Sequence, residues 1–164
     1  MLNIMLIEDD DEDAFMIRRA IEKHVRDADC VRVQTLAAGE RMLKENGADV
    51  VILDLHLPDS VNPADDCARI FKCAGKAPVV ISTNTTDRVL ANILVHAGAE
   101  DFLDKQSIAS DPARIRDAIH FAIERHDAVR RLMTEKERAE SDMAEKDTML
   151  NCFMGGYSVT SGGS

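Results

Sequence analysis

Five short apolar runs punctuate the first two thirds of the chain: residues 4–7 (IMLI), 31–33 (VRV), 50–53 (VVIL), 79–81 (VVI) and the weaker pair 102–103. Each is rich in branched aliphatic residues and bounded by polar, Gly or Pro signals, which predicts buried strands. Between them the apolar positions change to helical spacing. Ala14, Ile17, Ile21 and Val25 form one stripe, and Leu90, Ile93, Leu94 and Ala97 form another, stopped by Gly98. Ser110-Asp111-Pro112 predicts a helix start, with the proline in the first turn where its missing N–H costs nothing. Five strands alternating with five helices predict an α/β doubly wound parallel sheet, covered on both faces.

The last helix is expected to overrun the domain. No Pro or Gly interrupts residues 112–150, and a helix of that length would span roughly 60 Å at about 1.5 Å per residue. One small sheet cannot cover it, so its distal half is expected to project. The predicted organisation is a domain over residues 1–126, a projecting helical or coiled-coil extension over 127–150, and a flexible tail over 151–164.

Composition narrows the picture. The chain has 164 residues, 45% of them hydrophobic, with no Trp, one Tyr and five Phe, so the core must be aliphatic. Twenty Lys and Arg against 30 Asp and Glu give a formal charge of −10, unsuited to gripping nucleic acid or an anionic membrane. Cys30, Cys67, Cys73 and Cys152 show neither CxxC pairing nor zinc spacing and predict reduced thiols. The N-terminus lacks the basic start of a signal peptide, and no apolar stretch approaches the ~18 residues of a membrane span. A cytoplasmic protein is expected.

Candidate chemistry gathers where strands end. Residues 4–7 run into Glu8-Asp9-Asp10-Asp11, and residues 50–53 run into Asp54. The fourth strand leads to Ser82-Thr83 and the fifth to Asp104-Lys105. In an open parallel sheet the crevice beyond the carboxyl ends of the strands is where ligands bind. Carboxylates delivered there from neighbouring strands repel one another unless a cation intervenes, and hard oxygen ligands partly open to water suit Mg²⁺. Carboxylates, a hydroxyl and an ammonium form a kit for taking up a phosphoryl group on a carboxylate. Taken singly, each feature has a plainer reading: the run from Glu8 to Asp13 as a solvated helix start, Asp54 as a turn residue, a strand-end Thr or Lys as surface. Their joint occurrence, each at the end of its own strand, favours the functional reading.

The segments IMLIEDDDEDAFMIRRAI, DVVILDLHLPDS, PVVISTNTTD and AGAEDFLDK resemble the receiver domain of two-component response regulators, over residues 2 to about 126. The resemblance implies strand order 2-1-3-4-5 with five helices. It implies that Asp54 accepts a phosphoryl group from a phosphohistidine on a sensor histidine kinase or histidine phosphotransfer protein. It makes Glu8, Asp9, Asp54 and His56, the last through its backbone carbonyl, the Mg²⁺ ligands, with Asp9 the direct one of the acidic pair. It makes Thr83 and Lys105 the groups that contact the phosphoryl oxygens, and Thr83 with Phe102 the switch pair. Three positions depart from the family pattern. LPDSVNPADD lacks the usual glycine, so a rearranged start of helix 3 is expected. Asn84 replaces a small residue. Gln106 replaces the proline after the lysine, and a non-proline cis bond costs about 2.5–4 kcal/mol. His56 and Thr85 occupy positions that, in the family, influence how fast the phosphoryl group is lost.

The expected role is thus a Mg²⁺-dependent phosphoacceptor module acting through protein contacts on a downstream target, not an enzyme of free metabolites. A helix that self-associates only weakly, as a homodimer through residues 129–150, or that prefers a more basic partner helix, is also expected. A rival class is a Mg²⁺-dependent aspartyl-phosphate phosphohydrolase, but that chemistry needs a second Asp where His56 stands, and a cap domain. A pseudo-receiver scaffold is a third reading, opposed by the intact acid, hydroxyl and lysine set. A fragment of a larger hybrid signalling protein would show the same residues. His24, His96, His120 and His126 lie in helical stretches without metal spacing, and surface or capping roles are expected for them.

Overall fold

A computed structural model of the chain describes residues 1–84 and 88–155. Five strands, β1 (Leu2–Ile7), β2 (Ala28–Val33), β3 (Val50–Asp54), β4 (Val79–Thr83) and β5 (Asp101–Asp104), form one parallel sheet in the order β2-β1-β3-β4-β5. The helices are α1 (Asp11–His24), α2 (Leu36–Asn46), α3 (Pro63–Ala74), α4 (Arg88–Ala97), α5 (Lys105–Ser110) and α6 (Arg114–Gly155). The expectation of five helices falls one short. Asp104, whose carboxylate accepts from the Ser107 N–H, starts a short helix directly off β5. The helix expected at Pro112 begins at Arg114 instead, after a turn in which Asp111 accepts from the Ala113 N–H.

The period of two along the strands divides the core. Ile4, Leu6, Ile52, Val80 and Leu103 face α1 and the first turns of α6, meeting Ala14, Ile17, Ile21, Ile115 and Ile119. Met5, Ile7, Val51, Leu53, Val79 and Ile81 face α2, α3 and α4, meeting Leu36, Leu43, Ile70 and Leu94. Central strands buried on both faces read as unbroken apolar runs, which is why residues 50–53 and 79–81 show no alternation. The α1 stripe is wholly buried, whereas the α4 stripe is only partly so: Leu94 is buried but Ile93 is 48% exposed. Gly39 marks the closest approach of α2 to the sheet, where a Cβ would stand 2.5 Å from Ile7 Cδ1. Gly98, at φ +119°, ends α4 in a conformation that other residues resist.

Where the family glycine is missing, Asn62 caps α3 through the Ala64 N–H. The buried Asp66 carboxylate accepts from Ser60 Oγ (2.6 Å) and the Val61 N–H (3.1 Å), tying the preceding loop to the helix. Asp59 accepts from the N–H groups of Leu36 and Ala37, so the β3–α3 loop also caps α2. Among the described residues every peptide bond is trans, including the one after Lys105.

The chain divides into two compact units, the first ending at His126 and the second beginning at Asp127. In the second, α6 continues to Gly155, so residues 151–155, expected in a flexible tail, are helical. No described helix is long and apolar enough to cross a membrane.

Candidate phosphoacceptor site

The register of the sheet brings the candidate side chains to one edge. Ile7 pairs with Leu53, so Glu8 and Asp54 leave adjacent strands at the same level. Asp54 pairs with Ser82 and Thr83 with Asp104, which brings Thr83 and Lys105 to the same edge. All four are deeply buried for polar residues: Glu8 and Thr83 at 0% exposure, Lys105 at 3% and Asp54 at 4%. Burial of this kind is costly unless the charges are paired.

Lys105 does the pairing. Its Nζ lies 2.6 Å from Glu8 Oε2, 2.7 Å from Asp13 Oδ2 and 3.2 Å from Asp54 Oδ2. Burial works against the ammonium, but the hydrogen bonds to Asp13 and Glu8 and the Asp54 charge outweigh it and hold its pKa above the usual lysine value. Glu8 responds the other way. Burial pushes its carboxyl up to about 7, the neighbouring Asp54 charge adds to the rise, and the bond to Lys105 opposes it. Asp54 Oδ1 is buried and has no hydrogen-bond partner among the described residues.

Oxygens of Glu8, Asp9 and Asp54 lie within 4.8 Å of one another, close enough to converge on one cation. The loop that carries them is fixed from outside. Arg32, at the end of β2, donates from Nε to the Glu8 carbonyl (2.8 Å) and from Nη2 to the Asp9 carbonyl (2.7 Å), and its Nη1 pairs with Asp11 (2.7 Å). Asp10 then caps α1 by accepting from the Glu12 and Asp13 N–H groups, which lowers its pKa.

The His56 ring is not part of the Glu8, Asp9 and Asp54 cluster. The imidazole, on a side chain 68% exposed, sits at the mouth, with Nδ1 3.3 Å from Thr83 Oγ1 and 3.9 Å from Asp54 Oδ1. Phe102 is half-buried against the α2–α3–α4 side of the core. Thr85 lies outside the described residues. Of the remaining histidines, His96 contacts the Asn92 carbonyl on its own helix, and His126 meets Glu100 Oε1 at 2.8 Å. Burial pushes the Cys67 thiol up to about 12 and Cys30 to about 11, so neither is a nucleophile near neutrality.

Two contributors were not foreseen from the residues. Asp13 was hidden inside an acidic run that reads as an ordinary helix start, although its place five residues after Glu8, one turn into α1, is a usable signal. Arg32 sits in a half-exposed edge strand and gives no signal in the sequence.

Residues 4–120 match the response regulator receiver domain family, and the chain belongs to that family. It is a receiver domain of the two-component kind followed by a long helix. Over 108 residues it is 33% identical to the swarming motility regulation protein RssB of Serratia marcescens, a match covering 63% of this chain and 46% of RssB. The chain thus spans about half the length of that relative. Among solved structures, a response regulator receiver domain protein from Clostridium thermocellum is 26% identical with a TM-score of 0.64, covering 79% of this chain and 99% of that one. The signal receiver domain of a putative LuxO repressor from Vibrio parahaemolyticus shares the fold at 24% identity and a TM-score of 0.67, covering 80% of this chain and 96% of that one.

Proposed function

We propose that Asp54 accepts a phosphoryl group from a phosphohistidine on a sensor histidine kinase or histidine phosphotransfer protein. The observation that carries this reading is the state of the Asp54 carboxylate: buried, with Oδ2 against Lys105 and Oδ1 without a hydrogen bond among the described residues. An Asp54 oxygen attacks phosphorus, the P–N bond to the donor imidazole breaks, and its electron pair stays on the departing nitrogen. Lys105 neutralises phosphoryl charge from one side, and the Thr83 hydroxyl is placed to donate to a phosphoryl oxygen. Return to the resting state is attack of water on phosphorus with cleavage of the new P–O bond.

The oxygen donors of Glu8, Asp9 and Asp54, one of them unpartnered and buried, fit Mg²⁺. The ion would offset the negative charge that the phosphoryl group adds to a pocket already holding several carboxylates. The His56 carbonyl is the fourth candidate ligand, by family resemblance. Signalling follows through protein contacts to a downstream target, with Thr83 and Phe102 as the switch pair, and the module turns over no free metabolite. The phosphohydrolase reading lacks support, because the position two residues after Asp54 presents an imidazole at the mouth of the site.

Acetyl phosphate with Mg²⁺, or a phosphohistidine donor, adds one phosphate to the wild-type chain and none to Asp54→Asn. Chelating the metal stops the reaction. Stable incorporation at another residue of the wild-type chain overturns the assignment.

A further inference from the structure

We infer that Asp13 competes with the incoming phosphoryl group for the Lys105 ammonium and thereby restrains phosphoryl uptake at Asp54. The inference rests on the phosphoacceptor reading of Asp54. It starts from a count of donors. An ammonium has three N–H groups, and three carboxylates, Glu8, Asp13 and Asp54, surround the one on Lys105. A phosphoryl oxygen can gain Lys105 only when one of these partners gives way.

The three are not equivalent. The Glu8 side chain is fully buried and has no water to turn to. Asp54 is the loosest partner at 3.2 Å, but it is the reacting group itself. Asp13 is the one whose side chain reaches solvent, at 26% exposure, and it lies outside the Glu8, Asp9 and Asp54 group whose oxygens lie within 4.8 Å of one another. It is therefore the partner that Lys105 exchanges when the phosphoryl group arrives. Its tight bond at 2.7 Å opposes the exchange, and its negative charge opposes the approach of an anionic donor.

Asp13 also adds negative potential beside the cation site while holding part of the Lys105 charge away from it. Its removal therefore weakens Mg²⁺ binding yet speeds uptake once Mg²⁺ is saturating. A damaged fold does not produce opposite movements of this kind. Asp13→Ala frees Lys105 fully. Asp13→Asn leaves an amide oxygen that still accepts a hydrogen bond, so its effect falls between Asp13→Ala and the wild type.

The test measures initial rates of phosphoryl incorporation from acetyl phosphate at saturating Mg²⁺, with Mg²⁺ binding followed separately by calorimetry. Both Asp13 variants are expected to take up phosphoryl about three- to tenfold faster than the wild type, with Ala ahead of Asn, and to bind Mg²⁺ about two- to fivefold more weakly. Glu12→Gln serves as the charge control, since Glu12 is exposed on the same turn and is not among the carboxylates paired with Lys105. Uptake in both Asp13 variants that is unchanged or slower overturns the inference, and so does an equal acceleration in Glu12→Gln. A wild-type chain that takes up no phosphoryl at all overturns instead the reading of Asp54 beneath it.

Discussion

The Thr83 hydroxyl and the His56 imidazole meet at 3.3 Å, Oγ1 to Nδ1, across the mouth of the site. One belongs to the last residue of β4, the other to the loop after β3. A phosphoryl group on Asp54 would compete with the imidazole for this hydroxyl, and Thr83 pairs across the ladder with Asp104, two residues after Phe102 on β5. Thr83→Ala is expected to leave Asp54 phosphorylatable and to weaken the response of β5 and α5. Amide exchange over residues 101–110, with and without acetyl phosphate, checks this. A response of wild-type size in the Thr83→Ala chain would refute it.

The buried carboxyl of Glu8 is expected to make cation binding depend on pH. With its folded value pushed up to about 7 from an ordinary 4.5, Glu8 holds its proton more firmly folded than unfolded. Between those values the folded chain binds more protons at this residue, so its contribution to stability declines as pH rises through the window. A bound cation needs the carboxylate. Mg²⁺ affinity is therefore expected to rise about tenfold from pH ~6 to pH ~8 and then to level off. Calorimetric titrations at the two pH values decide the point, and Glu8→Gln should remove most of the difference.

Much of this was legible in the sequence, and the reasons are specific. Residues 50–53 and 79–81 read as central strands because they are short, rich in branched aliphatics and bounded by polar, Gly or Pro signals, as strands covered on both faces are. Asp54 and Thr83 end their strands and Lys105 directly follows β5, so once the strands are placed the site residues share an edge. What stayed hidden depends on helix phase and on loops. Asp13 reaches Lys105 because the Asp10 cap sets the rotation of α1, and Arg32 clamps the acidic loop by reaching carbonyls that no side-chain pattern reveals. Ile93 continues an apolar period yet stands on the outer side of α4, since a four-residue stripe does not say how wide the buried face is. The short α5 was concealed because six residues are too few to show a period.

Removing the Lys105 ammonium leaves Glu8 and Asp54 buried without their shared counter-charge. Breaking a buried pair by deleting one partner costs about 3 kcal/mol or more, so Lys105→Met is expected to lower the urea midpoint near neutral pH. Added Mg²⁺ supplies the missing positive charge and should restore more stability to Lys105→Met than to the wild type. Urea unfolding with and without Mg²⁺ tests the claim. An equal gain in both chains would show that Lys105 and the cation do not share the same carboxylates.

The second unit carries an apolar seam of its own. With Val129 at a heptad a position, the a and d positions through Leu150 are Val129, Leu132, Lys136, Ala139, Met143, Lys146 and Leu150. Val129, Leu132, Met143 and Leu150 are all exposed, a pattern that pairs with another helix. The flanks set the terms. In a parallel pair Glu135 faces Glu140 of the second copy and Asp142 faces Asp147, and Lys136 already leans toward Glu140 of its own helix at 3.7 Å. Apolar contact then draws two copies together while flanking acids push them apart, and alanine and lysine in the seam contribute little to packing. Weak self-association is the expected result. Like-charge repulsion is screened by salt whereas apolar contact is not, so the dimer should tighten as ionic strength rises from ~0.01 M to ~0.5 M. Sedimentation equilibrium across that range measures it, and Leu132→Asn with Leu150→Asn should leave a monomer at every salt concentration. A tight dimer at low salt that loosens as salt is added would show that attraction between charges, not the apolar seam, holds the copies together.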